Sequence, residues 1–376
     1  MTSLDILVKN PAYYWRHAPV EIDLEKVKNE LGLSGTVKEE DVILKYDGEI
    51  VPFQIDDLYR INNTPKQVLT FLAIVEGNSS KTFTLYKTDS PVNHNFNTLC
   101  SCDPVCDDWD FQFKNDKINI YFHRGRVPIG RDAWCAGSAT AGWVNHWWES
   151  IDLLKTYGPI WDHSSNRCSF ARAMQMDQFR VFKPSGAREQ EPHYPADKDY
   201  KLESYKKEGP IRAFLSIRYP FSLEDKNVKY KCNLYRILYI YPWTHYLLED
   251  AFIKAQSKGK ASTIDLKFQP TYGCHIHHHK FEIFREHDSW KVGWAQVADK
   301  KLLGLGFGSN TPVAYENHPC RCEHSFFDLR WTLEPTKKVR CLHLLLEEET
   351  NTEVLIDATG KTWYDAIYHP LSVEVI

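Results

Sequence analysis

Residues 273–280 read Gly273-Cys-His-Ile-His-His-His-Lys280, so four of the chain's 16 histidines fall within five positions. In an extended segment successive side chains alternate between faces, which sets His275, His277 and His279 together and His278 opposite. Histidine changes charge near neutral pH and is the commonest metal ligand. A row of three therefore offers either a base for proton transfer or nitrogen donors for a divalent metal, zinc or calcium. Glu282, His287 or the pair His318 and His324 can complete such a shell. The plain alternative is a solvated histidine patch.

The elements that must carry this row are strands. Segments 41–46, 68–75, 81–86, 117–122, 211–219, 229–241, 263–268, 281–285, 291–297, 326–333 and 340–346 alternate or are rich in β-branched and aromatic residues, bounded by turn residues. About fifteen to twenty strands with few helical patterns predict stacked antiparallel sheets or a barrel rather than alternating strands and helices. Residues 22–33 carry apolar positions at helical spacing and predict one short helix. The Trp-rich segment at about 134–165 holds Trp143, Asn145, His146, Trp147, Trp148 and Glu149, and reads as a helix or a long ordered loop that either packs on a sheet as a lid or stacks on a substrate.

Within 211–219 the even positions place Arg212, Ser216 and Arg218 on one face with Phe214, while the odd positions are apolar or aromatic. Within 229–241, Tyr239 and Tyr241 share a face with Asn233 and Tyr235, and Arg236 lies on the other. Arg124 and Arg126 flank a glycine and are further candidates for substrate contact, although a hairpin turn accounts for that pattern equally well.

Composition narrows the classes. With 376 residues, 43% hydrophobic, the chain is long enough for two domains or one large β-architecture, and disorder is not expected. A formal charge of −4 supplies no global field for nucleic acid or an anionic membrane. No run of about eighteen apolar residues reads as a membrane span. The N-terminal residues enter a strand pattern directly, so the expectation is a cytoplasmic protein, or a secreted or periplasmic one if a leader has been removed. Ten cysteines, among them Cys100, Cys102, Cys106, Cys320 and Cys322, are compatible with disulfides, zinc ligation or reduced thiols.

The stretches 6–16, 18–22, 47–57, 69–75 and 81–86, with Glu208-Gly-Pro-Ile-Arg-Ala213, together resemble the β-sandwich module of carbohydrate-active enzymes. Such modules occur in the C-terminal sandwiches of retaining α-mannosidases and in supersandwich polysaccharide lyases. The resemblance implies one all-β, galactose-mutarotase-like antiparallel supersandwich over residues 1–376 with few short helices, and a glycan as substrate. It carries over no catalytic residue.

Arginine, histidine and tyrosine without a distinctive carboxylate pair point to β-elimination of a uronate glycoside. Arg218 or Arg236 would hold the carboxylate, His277, His279 or His146 would take the C5 proton, and Tyr239 or Tyr241 would protonate the leaving oxygen. Trp143, Trp147, Trp148, Arg124, Arg126 and Arg212 would contact the oligo- or polysaccharide. The alternatives are a glycoside hydrolase, which needs two carboxylates, and an aldose epimerase or sugar-binding module.

Overall fold

The computed structural model describes residues 2–64, 66–104, 111–123, 145–150, 161–162, 167–168, 172–182, 203–225, 228–244, 246–258, 267–277, 280–287, 290–297, 300–309, 314–319, 324–330, 337–346 and 370–376. Its N-terminal part contains β1 (Ser3–Asn10), β2 (Arg16–Asp23), α1 (Leu24–Val27), β3 (Val42–Tyr46), β4 (Glu49–Ile50), β5 (Phe53–Asp56), β6 (Val68–Val75) and β7 (Ser79–Lys87). Next come β8 (Ser101–Pro104), β9 (Phe111–Lys114), β10 (Ile118–His123), β11 (Asn145–Ser150), β12 (Trp161–Asp162), β13 (Arg167–Cys168), β14 (Arg172–Phe182) and β15 (Glu203–Lys207). The long strands are β16 (Ala213–Asp225), β17 (Val228–Ile240), β18 (Tyr246–Lys258) and β19 (Lys267–His277). The chain continues through β20 (Lys280–His287), β21 (Trp290–Val297), β22 (Lys300–Ser309), β23 (Ala314–Pro319), β24 (His324–Arg330), β25 (Val339–Leu346) and β26 (Ser372–Val375).

The fold is all-β and antiparallel, as the period-two pattern predicts. A five-stranded sheet in the order β26-β1-β7-β3-β4 faces a three-stranded sheet, β2-β6-β5, and Ile6, Val8, Leu44, Phe53, Leu69 and Phe71 fill the space between them. The predicted helix is present but short. Asp23 caps it by accepting from the Glu25 backbone N–H at 3.2 Å, and Leu24, Val27 and Leu31 drop into this core.

Two eight-stranded sheets follow, one ordered β23-β24-β19-β14-β11-β10-β9-β8 and the other β15-β16-β17-β18-β25-β22-β21-β20. Residues 211–217 are buried without a break, as are 234–241, so both faces of the β16–β17 pair are covered. One face meets the N-terminal unit through a second cluster, Leu58, Val68, Phe214, Ile237, Tyr239, Tyr241, Leu248 and Leu342. A strand covered on both sides loses the polar alternation that marks a half-solvated one.

Asn145–Ser150, read from sequence as helix or loop, is strand β11. It pairs with β10 and β14 through continuous registers. Bulky aromatics suit a pleated surface, and Trp147 and Trp148 sit inside the sheet rather than in a flap over it.

Candidate functional site

The histidine row occupies the last residues of β19. His275 and His277 share a face, and the register carries that face across the whole eight-stranded sheet. One lateral row runs Asp103, Gln112, Tyr121, Trp147, Met174, His275, Phe326, His318. In the next row on one side, His277 pairs with His324 and Glu149 with Arg172; in the next on the other, Glu316 pairs with Asp328, which pairs with Gly273. Where β8 and β9 side chains are described, Asp103 and Lys114 on this face are exposed, whereas Cys102 and Phe113 on the opposite face are buried. At its β8–β9 end this face is therefore the solvent side of the sheet.

Register sorts the sequence-predicted residues. Trp147 lies on the face of His275 and His277, while His146 and Trp148 lie on the other, in rows with Phe122, Cys274 and Phe327 and with Phe113 and Ile120. His279, Trp143, Arg124 and Arg126 fall outside the described residues. His324 arrives directly opposite His277. Two histidines at i and i+2 on one strand and a third across from them are a donor set suited to zinc, because calcium takes oxygen ligands. Among the described residues whose side chains are placed, no group of three metal-binding side chains occurs.

The arginines and tyrosines have different surroundings. Arg236 holds Glu249 through two hydrogen bonds, Nε to Oε1 at 2.6 Å and Nη2 to Oε2 at 2.8 Å, and both residues are buried. Arg218 pairs with Glu203 on the adjacent strand. Arg212 is wholly enclosed; its Nε donates to Asp56 Oδ2 at 2.8 Å, and its Nη1 donates to Glu21 Oε1 at 2.6 Å and to the Tyr241 hydroxyl at 3.1 Å. The guanidinium also sits over the Tyr239 ring, 4.6 Å from its centroid. Tyr239 donates to Asp250 Oδ2 at 3.3 Å, and Asp250 takes a two-point contact from Arg340 at 2.7 and 2.8 Å and a third from Lys338 at 3.0 Å.

This network lies between the N-terminal unit and the β16–β17–β18–β25 surface. Burial raises the Tyr241 hydroxyl to about 12, and burial together with Asp250 also raises that of Tyr239 well above its ordinary value. Burial pushes the Asp56 carboxyl up against the pull of Arg212. For Glu21 and Asp250 burial acts in the same direction, yet the nearby cations prevail and both carboxylates are held below their ordinary range. Such groups pin sheets together, and Arg212, Arg236 and Tyr239 are committed to partners within the fold.

The residues that sequence inspection passed over are Glu316 and Asp328. Each is an unremarkable acid in its own segment. Only the pairing of β23 with β24, and of β24 with β19, aligns Glu316, Asp328 and Gly273 beside the histidines.

No family model matches the chain, and no curated protein matches it. Among solved structures it is similar to an α-mannosidase from Enterococcus faecalis V583, at 9% identity and a TM-score of 0.49, covering 100% of this chain and 46% of that one. It is also similar to a protein in glycosyl hydrolase family 38 from Enterococcus faecalis, at 11% identity and a TM-score of 0.49, covering 100% and 47%. The chain spans a little under half the length of these structures, and the likeness assigns it no activity.

Proposed function

We propose that the chain acts on glycans and hydrolyses a glycosidic bond at the histidine-bearing face of the eight-stranded sheet. The observation that carries this reading is the direct pairing of Glu316 with Asp328 on that face, next to Gly273. Directly opposed residues of antiparallel strands have Cβ atoms about 4.5–5.5 Å apart. A retaining glycosidase needs its two carboxyl groups about 5–5.5 Å apart, and an inverting one needs a wider gap that admits a water.

In this reading Asp328, paired with Gly273 on the neighbouring strand, attacks the anomeric carbon while Glu316 gives its proton to the departing oxygen. Water then cleaves the glycosyl ester, Glu316 takes that water's proton, and both groups return to their starting states. Tyr121 and Trp147 on the same face supply stacking surface. His275, His277 and His324 are the residues that would hold a zinc ion if the reaction uses one, polarising an oxygen of the substrate.

Hydrolysis is preferred to the β-elimination read from sequence because the arginines and the tyrosine assigned to that reaction are engaged elsewhere in the fold. Arg212, Arg218 and Arg236 are each engaged by carboxylates, and Tyr239 is enclosed. The test is incubation with a panel of neutral and uronate-containing oligosaccharides, mannosides included, with and without chelator, following product mass and ultraviolet absorbance together. Products heavier by water with no unsaturated-uronate band are expected, and Glu316→Gln or Asp328→Asn should each lower turnover by about 10²–10⁴-fold. Growth of the ultraviolet band, or full activity in either variant, would overturn the reading.

A further inference from the structure

A tight turn beside a cleft in the N-terminal unit holds a bulky residue in a costly conformation. Trp243 has a φ of 59°, in the left-handed region that non-glycine residues avoid and that is an outlier for a large side chain. Neighbouring side chains hold the turn in place. Asp116 Oδ1 accepts from the Trp243 backbone N–H at 2.8 Å, and the buried Asn115 Nδ2 donates to the carbonyls of Tyr241 and Thr244 at 2.7 and 2.9 Å. The Thr244 hydroxyl donates to the Tyr241 carbonyl at 2.9 Å.

This arrangement does not serve core packing, because Trp243 is 54% exposed. Strain that the surroundings hold in place at an exposed aromatic is more usual at binding sites than in scaffolding. The indole lies 5.7 Å from the His17 ring, centroid to centroid, and His17 lines a cleft of about 240 Å³ with Trp15, Arg16, Glu21, Tyr241 and Arg340. Trp15 is exposed on the rim. At the floor Glu21 keeps 31% of its side chain accessible, with Arg212 bonded to one oxygen and Arg340 3.8 Å from the other.

We infer that this cleft is a second glycan subsite, one that takes a single neutral pyranose ring against Trp15, with Trp243, just outside the cleft and beside His17, extending the aromatic surface at its mouth. A pyranose offers an apolar C–H face to an indole and vicinal hydroxyls to a carboxylate or guanidinium. Glu21 accepts from such hydroxyls and Arg340 donates to them. Burial lowers the His17 pKa, which leaves a neutral ring able to do either at neutral pH. The carboxylates of Glu21, Asp56 and Asp250 are balanced by Arg212, Arg340 and Lys338, and Arg16, the further cation of the lining, is buried, so this network offers no net charge to recruit an anionic sugar. The sugar class rests on the glycan reading above, whereas the cleft and the strained turn stand without it.

The test uses the full chain carrying Glu316→Gln, so that the sheet face cannot consume the probe. Methyl α-mannopyranoside, methyl β-glucopyranoside and methyl β-glucuronide are titrated by ligand-observed NMR and calorimetry. At least one neutral glycoside is expected to bind in the millimolar range, more tightly than the glucuronide, with Trp243→Ala and Glu21→Gln each weakening it tenfold or more and Trp243→Phe retaining most of the affinity. Trp243→Gly serves as the fold control, since glycine adopts this φ without strain and should melt no lower than the parent while losing the sugar. Absence of neutral-sugar binding, unchanged affinity in Trp243→Ala, or preference for the glucuronide would overturn the inference. Turnover by the unmodified chain without cleft binding would remove this subsite alone, and cleft binding without turnover would remove only the proposed hydrolysis.

Discussion

Arg212 Nε meets Asp56 Oδ2 at 2.8 Å with neither side chain exposed to solvent. The pair joins the loop leading into β16 to β5, more than 150 residues earlier in the chain. It brings together two of the stretches that carry the sandwich resemblance, because Gln54, two residues before Asp56, accepts from the backbone N–H groups of Ile211 and Arg212 at 3.2 and 3.1 Å. Gln54 in turn donates to Asp56 Oδ1 at 2.7 Å. The N-terminal unit and the large sheet are thereby fixed by a buried polar network as well as by apolar contact.

Removing one member of that pair leaves a charge in a place where water does not reach. Asp56→Ala and Arg212→Met should each lower stability by about 3–5 kcal/mol. The double variant Asp56→Ala/Arg212→Met should cost less than the sum of the two. Urea unfolding of the two single variants and the double gives the coupling directly, and additive losses would show that the pair does not act as a unit.

Gly209 precedes this junction, and a Cβ built there would lie 2.2 Å from Gln54 Oε1. Gly209→Ala should therefore force Gln54 off the two backbone N–H groups it serves and cost about 1–3 kcal/mol. Adding Gln54→Ala removes the collision but not the orphaned donors, so it should restore only part of the loss. Full restoration in the double variant, read from thermal melts, would mean that the Gln54 hydrogen bonds contribute nothing.

Period-two alternation made the all-β class and most strand positions legible from sequence. It worked for β7, where Phe83 and Leu85 alternate with threonines, and for β6 and β17, whose apolar and aromatic residues dominate their segments. It failed at Asn145–Ser150, where a strand flanked by glycine- and tryptophan-rich sequence resembles a loop, and at two-residue strands such as β4, which are too short to show a period. The site was less legible for a different reason. Arg212 and Arg236 were visible as charges on strand faces, but their enclosure depends on which sheet covers that face, a property of tertiary packing. Glu316 and Asp328 gain meaning only from cross-strand register, which also sets His324 opposite His277 and which alternation within a single strand does not determine.

Acid sensitivity should follow Asp250. Burial raises its pKa, but Arg340 and Lys338 more than compensate, and the folded value lies well below the ordinary range of an aspartate. A carboxylate depressed in the folded state adds stability that is complete above its unfolded pKa and is lost as pH falls through the folded one. Asp250→Asn should lower stability at pH 7 and flatten its decline below about pH 4. Denaturant midpoints measured from pH 7 to pH 2 provide the check, and an equally steep acid decline in the variant would exclude Asp250 as its source.

Four cysteines, Cys100, Cys102, Cys232 and Cys341, are free and buried among the described residues. Burial pushes the thiols of Cys100 and Cys232 up to about 12, and that of Cys102 also upward. Thiolate is the reactive form, so these positions should resist iodoacetamide at pH 8 in the folded protein and react after denaturation. Peptide-level mass spectrometry distinguishes them from the remaining cysteines, and rapid native labelling at Cys102 would contradict its enclosure.

Stereochemistry provides a test of the register itself. The direct pairing of Glu316 with Asp328 implies Cβ atoms about 4.5–5.5 Å apart, and the proposed hydrolysis uses the two acids as a closely spaced, retaining pair. Two displacements at that carbon restore the starting configuration. The first-formed product from a substrate of defined anomeric configuration should therefore retain it, as seen by proton NMR before mutarotation. Asp328→Gly should lose turnover and recover part of it with added formate or azide, which fill the space of the missing carboxylate. With azide the product should be a glycosyl azide of opposite configuration, since only one displacement then occurs. Inversion by the unmodified chain would mean that the two acids do not act across one strand pair, and the catalytic carboxylates would have to be sought among residues farther apart on the face, with Glu149 the first to test.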